Sequence, residues 1–368
     1  MKIIYGVCSW GIGHTARALP ILRKLLAEHN ELTVISSGRP LQILKDELQE
    51  PSVEYIDIPD YAPPRGIEPR TFFIGFLLRS PKLQFTIRRE LRAVLKLLAK
   101  KRYDVILSDT RYGIYHRKIP SFFITNQLRL MNPYRFRTLE LGSELYNRFF
   151  FKRYCGIIVP DFADQDDLGG DLTHNLRLID MSKIHYVGPI SDFKPRELPQ
   201  TIDYLISLSG PPLERALFRQ TILNQLASLN GNIAITTPEH NLDSKSSCLI
   251  RKVQSDARKI NVYTYLSRMD RELLLNRAKL LISKIGFTTL SDMAVLRKKA
   301  LFLPTPGQPE QLYLAQYHNT KRTFRCVLPT KLNLATDVNL ALRYQGVKRY
   351  CNVDKAIETV LDLIYSTS

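Results

Sequence analysis

The stretch from Leu280 to Ala315 repeats one design twice in succession: an apolar strand, a turn, then a helix. Lys279 to Ser283 is a short apolar run suited to a buried parallel strand, Gly286 follows, and Thr288 to Leu296 carries helical spacing. Ala300 to Leu303 then makes a strand, PTPGQPE a loop and Gln311 to Tyr317 a helix. Strands alternating with helices in this way argue for an α/β fold. With 368 residues, 44% of them hydrophobic, the chain can bury two sizeable cores. The break falls in Gly188 to Gln200, a polar, proline-bearing stretch between the strands Ile184 to Val187 and Asp203 to Leu208. It divides the chain into residues 1–193 and 194–368. Asp354 to Tyr365 reads as an amphipathic helix.

The turns carry the chemistry. The first N–H groups of a helix have no internal partner and carry partial positive charge, so a diphosphate placed at Phe287, Thr288 and Thr289 is stabilised there. The two threonine hydroxyls add donors, and Asp292, one turn on, can accept from two vicinal ribose hydroxyls. Glu310 and Gln311 put a carboxylate beside an amide, a pair suited to neighbouring hydroxyls of a hexose. Plain helix caps would use the same residue types. Ser209 and Gly210, in the turn after Asp203 to Leu208, offer a secondary place for phosphate, although Pro211 and Pro212 remove two donors.

The amino-terminal half opens with the strand Lys2 to Cys8, then SWGIGH, then a helix with Ala18, Leu22, Leu25 and Leu26 on one face. Gly11 and Gly13 allow a ligand close to the backbone, and Pro20 is expected to bend the first turns. His14 is the candidate general base, since an imidazole titrating near neutrality can take the proton of an attacking hydroxyl. A strand over Asp104 to Ser108 delivers Asp109 to the same carboxyl edge. There it would fix the tautomer of His14 and stabilise the imidazolium. Local backbone capping is the alternative use of both residues.

These motifs together resemble the GT-B glycosyltransferases, in particular the peptidoglycan N-acetylglucosaminyltransferase and UDP-glycosyltransferase families, of the family 28 type. The resemblance covers nearly the whole chain. It implies two Rossmann-like domains facing a central cleft, with the acceptor on residues 1–193, the donor on 194–368, and the last helix crossing back to the first domain. It further implies that Gly286, Thr289 and Asp292 bind diphosphate and ribose, that Glu310 and Gln311 bind the donor sugar, and that Leu266, in the segment Tyr263 to Met269, touches the nucleobase. His14 is the family's proposed base, paired with Asp109 as in UDP-glycosyltransferases. The implied reaction is one inverting displacement from a nucleotide diphosphate sugar, UDP-linked, to an acceptor hydroxyl. Two positions depart from the pattern: Leu314 stands before Ala315 where asparagine is usual, and Asp292 where many members carry glutamate.

Other readings stay open. Gly11, Gly13 and Ala16 fit the dinucleotide fingerprint, and Arg39 would suit the extra phosphate of NADP, but a dehydrogenase leaves the Gly286 and Gln311 motifs without a use. A sugar-nucleotide epimerase on the same scaffold, or a catalytically silent protein binding lipid or polymer through a basic face, are the further alternatives. Five cysteines without a CxxC pair and seven histidines without metal-ligand spacing give no zinc signature, so no protein-held metal or other cofactor is expected.

No secretory signal opens the chain, and a cytoplasmic location, peripheral on the inner face of a membrane, is expected. The net charge of +18 calls for an anionic partner. Arg70 to Arg102 mixes Phe72, Phe73, Phe76, Leu77 and Leu78 with Arg70, Arg79, Lys82, Arg88 and Arg89, as a surface meeting anionic lipid or a lipid-linked acceptor would. Nucleic acid is disfavoured, because no zinc finger, helix-turn-helix or RRM-type motif accompanies the charge.

Overall fold

The computed structural model describes residues 1–61, 69–132, 135–237, 248–255, 258–264 and 266–367, with the side chains of 69–81, 248–253 and 255 outside that description. Its two compact units are Met1–Asp192 with Cys351–Ser368, and Phe193–Tyr350.

In the first unit, strands β1 (Lys2–Val7), β2 (Glu31–Ser36), β3 (Val53–Asp57), β4 (Val105–Asp109), β5 (Ser121–Ile124), β6 (Gly156–Val159) and β7 (Ile184–Tyr186) form a parallel sheet in the order β3-β2-β1-β4-β5-β6-β7. The helices between them are α1 (Ile12–Ala27), α2 (Gly38–Glu47), α3 (Pro69–Leu98) and α4 (Arg137–Phe151). Helices on both faces exclude water from both sides of a strand, which is why β1 and β4 are apolar and buried almost throughout. Strand order reverses between β1 and β4, where ligands bind in open parallel sheets. Asp109 closes β4, opposite Val7, and so lies inside the strand end and not in the loop beyond it. Pro20 sits within α1, which still runs unbroken from Ile12 to Ala27.

In the second unit, strands β8 (Ile202–Ser207), β9 (Gly231–Thr237), β10 (Cys248–Ser255), β11 (Arg258–Thr264), β12 (Ala278–Lys284), β13 (Lys299–Leu303) and β14 (Arg325–Cys326) order as β10-β11-β9-β8-β12-β13-β14. All pairs are parallel except β10 with β11, an antiparallel edge. Helices α5 (Pro212–Leu223), α6 (Arg268–Arg277), α7 (Phe287–Leu296), α8 (Pro309–Thr320) and α9 (Leu334–Arg343) complete it. Here the order reverses between β8 and β12. The segment after Asp192 is strapped down: Lys194 N–H donates to Glu272 (2.9 Å) and Arg196 N–H to Asn276 (2.8 Å), both on α6.

The final helix, α10 (Val353–Tyr365), belongs to the first unit. Asn352 caps it by accepting from Lys355 N–H, and Ala356, Ile357, Val360, Leu361 and Ile364 enter the core that also holds Leu22 and Leu25 of α1. Beside it the Tyr365 hydroxyl accepts from Asn30 (3.0 Å) and donates to Glu28 (2.6 Å).

Candidate active site

At the reversal point of the first sheet, β1 runs through Ser9, Trp10 and Gly11 into α1, which carries His14 in its first turn. Gly11 has an extended backbone (φ −172°), and a Cβ there would meet nothing within 4 Å. Neither conformation nor packing demands glycine, so its effect is to leave the helix tip uncovered. No side chain caps that tip. Gly13 follows inside the first turn.

His14 Nδ1 lies 2.7 Å from Asp109 Oδ1, with the imidazole one-fifth exposed and the carboxylate fully buried. Burial alone pushes the Asp109 carboxyl up. The Arg17 guanidinium, and then His14, outweigh burial and hold it at about 2. An ionised carboxylate can only accept, so Nδ1 is the donor in the bond to Asp109; Arg17 Nη2 also stands 3.0 Å from Nδ1.

Arg17 was not singled out from the sequence. It lies three residues beyond His14 on the same face of α1 and is buried, donating from Nε to Asp109 Oδ2 (3.0 Å), from Nη2 to Oδ1 (2.5 Å) and from Nη1 to Asn126 (2.9 Å). Its two-pronged grip fixes the carboxylate plane and leaves His14 one defined acceptor. An arginine on the apolar side of a helix, one turn from a candidate base, was the available signal.

Next to this triad Trp10 and Ile12 are exposed. Trp10 is held by its Nε1–H donating to Tyr61 O and by an edge-on contact with the Tyr61 ring at 5.3 Å. Ser9 is tied by its N–H and hydroxyl to Asp60 (2.6 and 2.7 Å).

In the second unit, three adjacent strands β8, β12 and β13 deliver their following loops to one carboxyl edge. These loops carry Ser209 and Gly210, Gly286 to Thr289, and Thr305 to Gln311. Gly286 repeats the Gly11 arrangement: extended backbone (φ −167°), open space where a Cβ would be, and no side-chain cap on α7. Phe287 is buried, whereas Thr288, Thr289 and Asp292 are partly exposed. Asp292 and Glu310 each have polar partners already.

At α8, Gln308 accepts from Gln311 N–H (2.6 Å), and Gln311 Oε1 accepts from Thr305 N–H (2.8 Å). The capping use of Gln311 is therefore real, and what its side chain can offer a ligand is the amide N–H pair. Leu266 follows β11 on the same edge, two strands from β8.

A cation ties these loops together that sequence reasoning also missed. Lys284 ends β12, is nearly buried, and donates to Glu214 of α5 (2.5 Å), which also accepts from Thr305 (3.2 Å). Gly210, with φ +99°, packs on it: a Cβ there would lie 2.4 Å from Lys284 Nζ. The positive φ favours glycine at 210, and a side chain there would push the Lys284 ammonium aside. A lysine closing an otherwise apolar buried strand was the sequence signal.

Asp161, Asp167 and His174 also come within 4.8 Å of one another. Both Asp161 oxygens are taken by the N–H groups of Phe162, Leu168 and Gly169 and by the Thr173 hydroxyl, so this carboxylate organises its own loop. The apolar residues Phe72, Phe73, Phe76, Leu77 and Leu78 singled out above, with Arg70 and Arg79, have side chains outside the described residues; Lys82, Arg88 and Arg89 are described and lie on α3.

Two parallel-sheet units with glycine-led helix tips at both reversal points give the chain the GT-B fold of glycosyltransferases. Within that class, residues 1–144 match the family described as glycosyl transferase family 1. An uncharacterized glycosyltransferase of Methanosarcina mazei is 31% identical over 172 residues, 44% of this chain and 44% of the relative. A second from the same organism is 24% identical over 329 residues, 84% of this chain and 81% of its own. The first-mentioned match thus spans less than half the relative's length. Among solved structures, MurG of Acinetobacter baumannii aligns over 99% of both chains at 13% identity and a TM-score of 0.58. The spinosyn rhamnosyltransferase SpnG, complexed with thymidine diphosphate, covers 100% of this chain and 96% of its own at 14% and 0.55. The UDP-GlcNAc 2-epimerase of Methanocaldococcus jannaschii shares the fold at 13% and 0.55 over 99% of this chain and 100% of that one.

Proposed function

We propose that this protein transfers a hexose from a nucleotide diphosphate sugar, uridine- or thymidine-linked, to an acceptor hydroxyl with inversion at the anomeric carbon. The observation that carries the reading is the His14–Asp109 pair with Asp109 held ionised by Arg17. His14 Nε2 takes the acceptor proton as the oxygen attacks, and Asp109 stabilises the resulting imidazolium. The bond from the anomeric carbon to the diphosphate breaks as the new one forms. Charge growing on the leaving diphosphate is met by the uncapped tip of α7, by Thr288 and Thr289, by the Ser209–Gly210 turn and by the Lys284 ammonium. A protein-held metal has no assigned part. Asp292 takes the ribose, Leu266 the base, and Glu310 with Gln311 the hexose hydroxyls.

Support for a nucleotide diphosphate comes from the thymidine diphosphate in the SpnG complex. Exposed Trp10 and Ile12 beside His14 favour an acceptor with an apolar body, a lipid or lipid-linked glycan among them. Among the described residues no helix is long and apolar enough to cross a membrane.

The test uses His14→Ala. Turnover should fall about 10²- to 10⁴-fold while calorimetric affinity for UDP or TDP stays nearly unchanged. Equal loss of nucleotide binding would remove His14 from the role of base. Incubation with the donor alone should give no new sugar isomer by mass spectrometry and NMR, since an isomer appearing without acceptor marks an epimerase.

A further inference from the structure

Glycosyl transfer changes the charge of the nucleotide. A sugar-bearing diphosphate carries about two negative charges, and the freed diphosphate carries about three near neutral pH, because the second ionisation of a phosphate monoester lies near pH 6. When the bond from the anomeric carbon breaks, its electron pair stays on the β-phosphate oxygen and the acceptor proton goes to His14. A group that feels this extra charge can tell spent nucleotide from donor.

Glu214 stands where it can do so. It lies in the first turn of α5, and its Oε2 accepts both from Lys284 Nζ (2.5 Å) and from the Thr305 hydroxyl (3.2 Å). Carboxylate and ammonium lie against the same backbone turn, since a Cβ on Gly210 would be 2.4 Å from Lys284 Nζ and 3.8 Å from Glu214 Oε2. The Lys284 side chain is 9% exposed, whereas Glu214 keeps 31% of its side chain open to solvent. An acid in the first turn of a helix is ordinarily explained by the helix dipole. Here the carboxylate also holds the one ammonium assigned to the diphosphate, and Thr305 N–H, donating to Gln311 Oε1 (2.8 Å), joins the pair to the hexose end of the site.

We propose that Glu214 discriminates between donor and spent nucleotide: it anchors Lys284 and, as a fixed negative charge beside the diphosphate, destabilises the more highly charged product and speeds its release. The inference rests on the transferase reading, with the diphosphate at the Ser209–Gly210 turn. Glu214 touches no reacting atom in this scheme. It is a positioning residue, acting through Lys284 and through its own charge. One further charge a side-chain length away in a partly exposed site is worth roughly three- to tenfold in affinity. Removing the carboxylate has two separable effects: a loosened Lys284 weakens donor and product together, whereas the lifted repulsion favours the product. The ratio of the two affinities isolates the charge.

The experiment is calorimetric titration of the full chain with UDP and TDP and with their β-phosphate methyl esters, which carry the charge of a sugar diphosphate without committing to a sugar. In Glu214→Gln the affinity for the free diphosphate, relative to its ester, should rise roughly three- to tenfold over the wild type. Glu214→Asp keeps the charge and should leave that ratio within about twofold of the wild type. Lys284→Gln should move it the opposite way, because losing a cation costs the more highly charged ligand more. A ratio unchanged in Glu214→Gln, with or without a lower melting temperature, would overturn the proposal and leave Glu214 a helix-tip acid. So would an equal shift in Glu214→Asp. Either result, with the wild type still binding nucleotide, leaves the transferase reading standing, whereas a wild type that binds neither UDP nor TDP would end both.

Discussion

Asp109 is a fully buried charge, and its neighbours decide what it can do. Its carboxyl is held at about 2 against an ordinary 3.8, so the folded state binds that proton less tightly than the unfolded chain. The resulting stabilisation is complete above about pH 4 and is lost as pH falls towards 2; a shift of this size is worth roughly 2 kcal/mol. Asp109→Asn should therefore differ most from wild type above pH 4 in urea unfolding, with the gap narrowing by about that amount between pH 4 and 2. A gap constant across that range would mean that Arg17 does not keep Asp109 ionised. His14 and Asp109 were legible because one stands just after a strand and the other at a strand's last position, so both fall on a carboxyl edge by topology alone. Arg17 and Lys284 were not, because a cation reads as a solvated surface residue unless its burial is known. Gln311 was legible in position but not in orientation, since one amide serves a cap and a ligand with the same atoms.

At the scale of elements, the tandem units after Ala278 were readable because two strands buried on both faces leave unbroken apolar runs, LLIS and ALFL, with glycine or proline turns after each. Helix α4 was passed over for the opposite reason. Periodicity finds helices by assuming that apolar residues face inward, and here Glu140, Glu144 and Asn147 share that face with Phe150 and Phe151, with Glu144 and Asn147 holding the loops that follow β5 and precede β7. The terminal helix obeys the usual rule. Five of its residues complete a core whose other buried members run from Ile3 to Ile190. Ile364→Ala in that helix should cost about 2–5 kcal/mol in urea unfolding, the range for truncating a fully buried aliphatic side chain. A loss below about 1 kcal/mol would show that α10 packs only loosely on α1.

For the whole molecule, the alternation of strands and helices carried the α/β class, while the position of each unit's edge strands depended on pairings that no local pattern encodes. The antiparallel β10 edge is one such case, its partner β11 being readable only as a strand. Taken together, the donor assignments predict where nucleotide will be felt. Adding UDP or TDP should slow amide exchange in residues 209–214, 284–292 and 305–311, because a ligand that binds only the folded form raises the cost of local opening around it. Slowing confined to residues 9–17 would put the nucleotide on the first unit and reverse the donor and acceptor roles. The path of the chain also sets an order of birth. Domains usually mature in the sequence in which they are translated. Here the first nucleotide fold must wait with its hydrophobic seam open until α10 leaves the ribosome, so the unit made second has all its residues first. Chaperones that shelter nascent chains would meet that seam throughout the intervening synthesis.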